Sequence, residues 1–378
     1  MKKHFFAQLD EMVATLNAQG VEVIRLDIGS PDLPPHPDVI DVMQRAVARA
    51  DSHGYQRHVG PLSHRQAWAE MYARVFGVML DPKKEIVPLM GTKEGIFHLS
   101  QALIEPGDVI LIPDPYYVTY VRGAEFAGGK PHFVPLLPEN DYLPELDKIS
   151  AEVADAAKLI WVNYPNNPLN ATAPLSFYEE LVEFAKEHNV LVCSDAAYSQ
   201  VYYGDEKPPS ILQIEGAKDV AIEFNSLSKS HNMAGWRVGA AVGNPLVLEK
   251  LLRLKSNADS GHFGPTLEAA SHAMGTESSW LQERNAVYRE RRDLIVSALR
   301  KMGVNVKSPQ ASLYIWCPIP EGWTSEEFSL AMLKEANVSV APGTIFGSNG
   351  EGYLRISITQ PKEVLAEAMR RLEKWNKF

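Results

Sequence analysis

The sequence predicts an α/β protein. It has a large domain with a mostly parallel, mixed central sheet flanked by helices, and a smaller α/β domain built from both chain ends. Three observations carry this reading. Short runs rich in Val, Ile and Leu alternate with longer amphipathic segments through the middle of the chain, as in a parallel sheet covered on both faces. At 378 residues the chain exceeds what one ordinary core accommodates. After Met302 the alternation gives way to a second, shorter strand-and-helix pattern.

The predicted strands of the large domain are Glu85–Met90, Val109–Ile112, His132–Leu136, Lys158–Asn163, Val190–Ser194, Val220–Asn225 and Arg237–Val242. Helices are predicted over Lys93–Ile104 and Leu175–His188, and a long charged one over about 266–302. Beyond it, "ASLYIWCPIP", "VSVAPGTIFG" and "GYLRISIT" read as strands, with a helix near Ser325–Glu335 and another from Lys362. The N-terminal stretch "MKKHFFAQLDEMVATL" reads as an amphipathic arm. The segment ending at Pro37 is too proline-rich to join the central sheet, so the arm is expected to pack with the small domain. The expected divisions are 1–37 (arm and part of the small domain), 38–264 (large domain) and 265–378 (small domain with the connecting helix).

Composition narrows the function. A formal net charge of −10 argues against a nucleic-acid surface, which requires clustered Lys and Arg. Two cysteines, Cys193 and Cys317, form neither a disulfide framework nor a zinc pattern, and the scattered histidines suggest no metal. The arm lacks the apolar stretch of a signal peptide, and no run of eighteen apolar residues exists, so no membrane association and a cytoplasmic location are expected.

Ligands of an open parallel sheet bind beyond the carboxyl ends of its strands. Asn167 falls there, after the strand ending at Asn163; so do Asp195 and Tyr198 after "VLVCSD", and Ser226, Ser228 and Lys229 after "VAIEFN". Gly91, Thr92 and Lys93 follow "EIVPLM" at the start of a helix. An amine, a carboxylate, an amide, a phenol and a helix N-terminus on one edge are what pyridoxal 5'-phosphate (PLP) demands. The amine forms an imine, the carboxylate keeps the ring nitrogen protonated, and the helix start receives the phosphate.

The segments "DIGSPD", "NYPNNPLNATA", "DAAY", "SLSKSHNMAGWRVG" and "GYLRIS", five in this order along the chain with compatible spacing, resemble the class I/II, fold-type I aminotransferases. The resemblance implies a large PLP-binding domain and a ping-pong exchange of an amino group between an L-amino acid and a 2-oxo acid. It implies that Lys229 forms the internal aldimine and shuttles a proton between the substrate α-carbon and the cofactor. Asp195 pairs with the ring nitrogen, and Asn167 and Tyr198 hydrogen-bond the phenolic oxygen. Ser226, Ser228 and Arg237, with the backbone at Gly91, Thr92 and Lys93, hold the phosphate. Tyr117 stacks on the ring, although "YYVTY" could equally be core packing around Tyr116 or Tyr120. Arg355, helped by backbone near Gly29, takes the substrate carboxylate with Asn167 nearby. Tyr55 matches a tyrosine that reaches the neighbouring subunit's cofactor, which implies a homodimer with shared sites.

One departure stands out. The family's usual Asn-Pro-Thr-Gly is here Asn167-Pro168-Leu169-Asn170, where Asn170 can adopt the left-handed conformation that Gly would supply. Glu94 reads most simply as a residue that compensates the helix dipole. "GTKEGIFHL" and "KSNADSGHFGP" look most like the subgroup that includes LL-diaminopimelate aminotransferases, where Lys255, Asn257 and Ser260 would line the partner's pocket and Arg57 would meet a distal carboxylate. The competing readings are a PLP-dependent C–S lyase, an aminocyclopropane-carboxylate synthase-like catalyst, and a PLP-binding regulator with little turnover.

Overall fold

The computed structural model describes residues 5–378; Lys2 and Lys3 of the expected arm lie outside the described residues. The N-terminal segment forms helix α1 (Phe5–Ala18) and a short strand β1 (Ile24–Arg25). Helices α2 (Pro37–Val47) and α3 (Leu62–Phe76) lead into the central sheet. Its strands are β2 (Ile86–Leu89), β3 (Val109–Asp114), β4 (Lys130–Pro135), β5 (Ala157–Asn163), β6 (Leu191–Asp195), β7 (Ala221–Ser226) and β8 (Gly239–Gly243). Helices α4 (Thr92–Leu103) and α5 (Val118–Phe126) follow β2 and β3. Four strands follow, β9 (Tyr314–Pro318), β10 (Val338–Ser339), β11 (Ala341–Pro342) and β12 (Tyr353–Ser357), and the expected C-terminal helix closes the fold over Lys362–Trp375.

The central sheet runs in the order β2-β8-β7-β6-β5-β3-β4, with β8 antiparallel to both of its neighbours and the other pairings parallel. Strand β7 is buried along its whole length, and β5 at every residue but Lys158. That is the pattern of strands covered on both faces, and it explains the absence of polar alternation in their sequences. β9, β12 and β11 form a separate antiparallel sheet, and β1 pairs in parallel with β10. The N-terminal segment thus joins the C-terminal strands through its backbone. Leu9 and Val13 of α1 pack on Leu333, and Ile24 and Leu26 enter the core around Ile315, Val338 and Ile356.

Two expectations on the C-terminal half need correcting. The long helix over 266–302 is two helices, Gly264–Met274 and Ser278–Lys301. Gly275 and Thr276, both weak helix formers, sit at the break, and Glu277 is extended (φ −60, ψ 143), so the second helix starts afresh. "VSVAPGTIFG" is not one strand. It contributes the two-residue strands β10 and β11 and then turns into a short 3-10 helix, Gly343–Phe346. The helix near Ser325 is present as Ser325–Ala331, opened by a reciprocal cap between Thr324 and Glu327, and continues through Met332–Ala336 with wider π-type winding.

Candidate active site

The sheet register gathers the polar groups. Asn163 pairs with Asp195 and Asp195 with Phe224, so the carboxyl ends of β5, β6 and β7 lie level. Because β8 is antiparallel, its first residue Gly239 pairs with Ser226 and with Leu89, which brings Arg237 and the start of α4 to the same edge. A cavity of about 440 Å³ opens there, lined among others by Gly29, Thr92, Tyr117, Asn167, Asp195, Tyr198, Lys229 and Arg355.

Lys229 reaches this cavity from the short helix Leu227–Ser230, where its Nζ donates to the Gly29 carbonyl. Burial pushes its ammonium below the usual lysine range. The nearby Tyr314 opposes this, while the charges of Arg355 and Arg237 add to it. Asp195 is fully enclosed, and burial raises it to about 6 even though two donors hold its carboxylate: Tyr120 Oη at 2.8 Å and the Ala197 N–H at 3.2 Å. Asn163 sets the frame around it. Its Nδ2 donates to the Asp195 carbonyl at 2.6 Å, and its Oδ1 accepts from the Asn167 N–H at 2.8 Å.

Arg355, on the middle strand of the antiparallel sheet, lies with its guanidinium 4.2 Å from the Tyr314 ring centre and 4.7 Å from that of Phe346. Its Nη1 donates to Asn167 Oδ1 at 2.9 Å and its Nη2 to the Asp27 carbonyl at 2.7 Å, while Nε is buried without a partner. Tyr198 and Tyr314 share a hydrogen bond of 2.9 Å between hydroxyls. Burial raises Tyr198 well above the usual phenol range. Burial also acts on Tyr314, but the charges of Arg355 and Lys229 outweigh it and leave Tyr314 lowered. A side chain at Gly29 would overlap the Tyr314 hydroxyl, so only glycine lets the backbone come this close.

The remaining predicted residues adjoin the cavity. No side chain caps α4, which leaves the first-turn N–H groups behind Gly91, at φ 81, open to the edge. Arg237 lies against Gly91, with its Nη1 3.5 Å from Ser228 Oγ and its Nη2 3.4 Å from the Met90 carbonyl. Ser226 Oγ accepts the Ser228 N–H at 3.1 Å, and the Lys93 side chain is exposed. Asn170 does take the left-handed conformation, at φ 64, and Leu169 is buried beside Trp316 and Phe346. Tyr55 stands apart from this group, 95% exposed.

Lys255 requires a correction. Its side chain is buried, with Nζ 2.6 Å from Asp259 Oδ2 and 3.1 Å from Glu94 Oε1, so it cannot line a partner's pocket. A buried ammonium needs this pairing, and residues distant in sequence supply it. Glu94 accordingly does more than balance a dipole: besides Lys255 it contacts His98 at 2.8 Å and accepts the Met90 N–H at 2.8 Å. Glu94, His98 and Asp259 have metal-ligand spacing, which the scattered sequence positions hid, and the Lys255 ammonium supplies the positive charge among them. Asn257 bonds back to its own helix at the Arg253 carbonyl, and Arg57 is exposed.

Sequence reasoning missed three positioning residues. Tyr120 and Asn163 hold Asp195 as described. Arg284 is a buried guanidinium whose Nη1 donates to the carbonyls of Lys229 (2.7 Å) and Ser230, and whose Nη2 donates to that of Gln200 (2.7 Å). A signal for Arg284 existed: it falls in one stripe with Tyr288, Arg291, Ile295 and Leu299, the buried face of Ser278–Lys301.

The donor set fits PLP. A buried amine, a buried carboxylate within the same cavity, an uncapped helix start beside an arginine and two serines, and an arginine with an orphaned Nε provide for each polar part of the cofactor and for a substrate carboxylate.

Comparisons with known proteins agree. A model of the family described as aminotransferase class I and II matches residues 21–372. The chain is 47% identical over 370 residues to LL-diaminopimelate aminotransferase of Aquifex aeolicus, covering 98% of this chain and 96% of that protein. It is 48% identical over 372 residues to the enzyme of that name from Maridesulfovibrio salexigens, with the same coverage. Among solved structures, substrate-bound BacF from Bacillus subtilis superposes with a TM-score of 0.95 at 36% identity, covering 100% of this chain and 95% of that one. A probable N-succinyldiaminopimelate aminotransferase from Thermus thermophilus gives 0.92 at 34% identity, covering 98% and 99%.

Proposed function

Because this chain belongs to the class I and II aminotransferases, which are PLP-dependent, we propose that Lys229 is the lysine that carries the cofactor and that the amino donor is LL-diaminopimelate or a close chemical relative. The observation that carries this reading is one cavity holding Lys229, Asp195 and Arg355, with the lysine amine buried and its charge disfavoured. Bound PLP supplies an electron sink, which lets a bond to the substrate α-carbon break.

The protein's own groups do the rest. Lys229, whose positive charge is disfavoured by burial, takes the proton from the substrate α-carbon and carries it onward. Asp195 holds the ring nitrogen, and the Tyr120 and Asn163 hydrogen bonds keep it in place. Asn167 and Tyr198 hold the phenolic oxygen, and Tyr117 covers the ring. Ser226, Ser228, Arg237 and the N–H groups behind Gly91 hold the phosphate. Arg355 fixes the substrate carboxylate, with the Gly29 backbone forming the near wall. The Tyr314 and Phe346 rings packed against the Arg355 guanidinium restrict its motion, so little rotamer freedom is lost on binding. The donor assignment draws on the names of the relatives.

No helix among the described residues is long and apolar enough to cross a membrane. We place the enzyme in the cytoplasm as a homodimer in which exposed Tyr55 serves the partner's site. The central sheet goes to a large domain over 38–264, and the antiparallel sheet to a small one drawn from 1–37 and 265–378.

The test is borohydride reduction of the purified enzyme followed by peptide mass mapping, with turnover of LL-diaminopimelate and a 2-oxo acid measured in parallel. A covalent adduct on the peptide containing Lys229, and loss of turnover by several orders of magnitude in Lys229→Ala, are expected. An adduct on another lysine would overturn the assignment.

A further inference from the structure

The same cavity is lined by a charged cluster that none of the roles above uses: Asp10 from α1, Arg25 from β1, and Asp27. Arg25 Nη1 lies 2.6 Å from Asp10 Oδ1, while its Nε and Nη2 donate to the two oxygens of Asp27 at 3.0 and 2.5 Å. The cluster is rooted beside the carboxylate-binding arginine, because the Asp27 carbonyl accepts from Arg355 Nη2. Two carboxylates against one guanidinium leave a surplus negative charge. Asp27 does not present it, since its side chain is fully buried and both of its oxygens are engaged by Arg25. Asp10 does: Arg25 meets one of its oxygens, and its side chain is 60% exposed.

The lining of the same cavity also includes Ile28, Ile345 and Phe346, apolar side chains that suit a chain of methylenes, with Phe346 starting the apolar surface against Arg355. A ligand anchored at Arg355 therefore meets a cationic end, an apolar wall and then an anionic end. We propose that Asp10 receives the distal ammonium of the amino donor, with Arg25 as the positioning residue that aims it. The preferred donors are then amino acids that carry a second amino group at the far end of an aliphatic chain. The inference rests on the assignment of Lys229 and Arg355 above. It selects a substrate class that includes diaminopimelate and excludes donors of equal length without the second amine.

The experiment compares kcat/KM for LL-2,6-diaminopimelate with that for L-2-aminopimelate, which lacks only the distal amine, in the holoenzyme and in its Asp10→Asn and Asp10→Glu variants. A strong preference for the diamino acid is expected, falling about tenfold in Asp10→Asn and partly restored in Asp10→Glu, the scale of one charge-assisted hydrogen bond at a part-exposed site. An unchanged preference ratio in Asp10→Asn overturns the proposal. So does an equal loss for both donors in both variants, which would make Asp10 an anchor of α1 alone. If other amino acids are turned over but neither of these donors is, the substrate class fails while the Lys229 assignment stands. If borohydride leaves no adduct at Lys229, the underlying assignment itself fails.

Discussion

Glu223 is a fully buried carboxyl group on β7, behind the active-site edge, and it gives the protein a pH-dependent stability that one substitution should remove. Its Oε1 accepts from Tyr72 Oη and Ser210 Oγ, both at 2.8 Å, and its Oε2 accepts from Ser194 Oγ at 3.2 Å. Burial outweighs these three donors and pushes the group from 4.5 up to about 7. Below the unfolded value the carboxyl is neutral in both states and nothing is lost. As pH rises from about 4.5 through 7, the unfolded chain releases a proton that the folded protein retains, so stability falls across that window and levels off above it. The full loss is about 3 kcal/mol, from about 1.4 kcal/mol per pH unit of displacement.

Glu223→Gln keeps an acceptor for Tyr72 and Ser210 and offers an amide donor to Ser194, but it cannot ionise. Urea denaturation of both proteins from pH 4 to 9 should give matching curves at the acid end and an advantage for the glutamine variant that grows to about 3 kcal/mol by pH 8. Asp195, raised to about 6, titrates in the same window but is present in both proteins and cancels in the difference. Parallel curves at all pH values would mean that Glu223 stays charged in the folded protein, and would refute the reasoning.

Other perturbations address the site itself. Tyr120→Phe removes a donor from the Asp195 carboxylate, so the pH below which cofactor affinity declines should move up by about one unit; equilibrium dialysis of PLP against pH would measure it. Arg355→Lys should raise KM for the amino donor by about a hundredfold, because a lysine cannot form the planar bidentate pair, while cofactor absorbance stays as in the wild type. Arg284→Met strips donors from the carbonyls of Lys229, Ser230 and Gln200. It should cost about 3 kcal/mol in denaturation and lower cofactor retention, which the conservative Arg284→Lys should partly restore.

The central strands were legible because complete burial leaves an unbroken apolar run with polar punctuation at its end, as in β6, which closes on Asp195. Asn167, Asp195, Tyr198, Ser226, Ser228 and Lys229 were legible for the same reason, since each stands at or shortly after such an end. Arg355, in the middle of β12, was legible only through the family resemblance of its segment. What stayed hidden depends on contacts between distant segments. No local pattern joins Lys255 to Glu94, 161 positions away, or Arg284 to the Lys229 carbonyl, 55 away. The break at Gly275 and Thr276 was readable in principle, but helix-forming segments on both sides, GPTLEAASHAM before it and the charged ERNAVYRERRD run after it, masked it. The cluster of Asp10, Arg25 and Asp27 escaped because the amphipathic pattern of α1 says which face is buried and nothing about what the other face overlooks.

Arg355 stands on β12 of the antiparallel sheet, yet its two terminal nitrogens are tied to the Asn167 side chain after β5 and to the Asp27 carbonyl after β1. One guanidinium therefore stitches three separate stretches of chain, and in the proposed function it also anchors the substrate's carboxylate. A lineage that altered this residue to accept a different head group would loosen the seam in the same step. The far end of the cavity carries no such double duty: Asp10 sits on α1, which is seated through Leu9 and Val13 on Leu333, so its replacement leaves the Arg355 hydrogen bonds intact. Evolutionary change in this enzyme's diet should thus be written in the N-terminal helix, with the carboxylate end left as inherited.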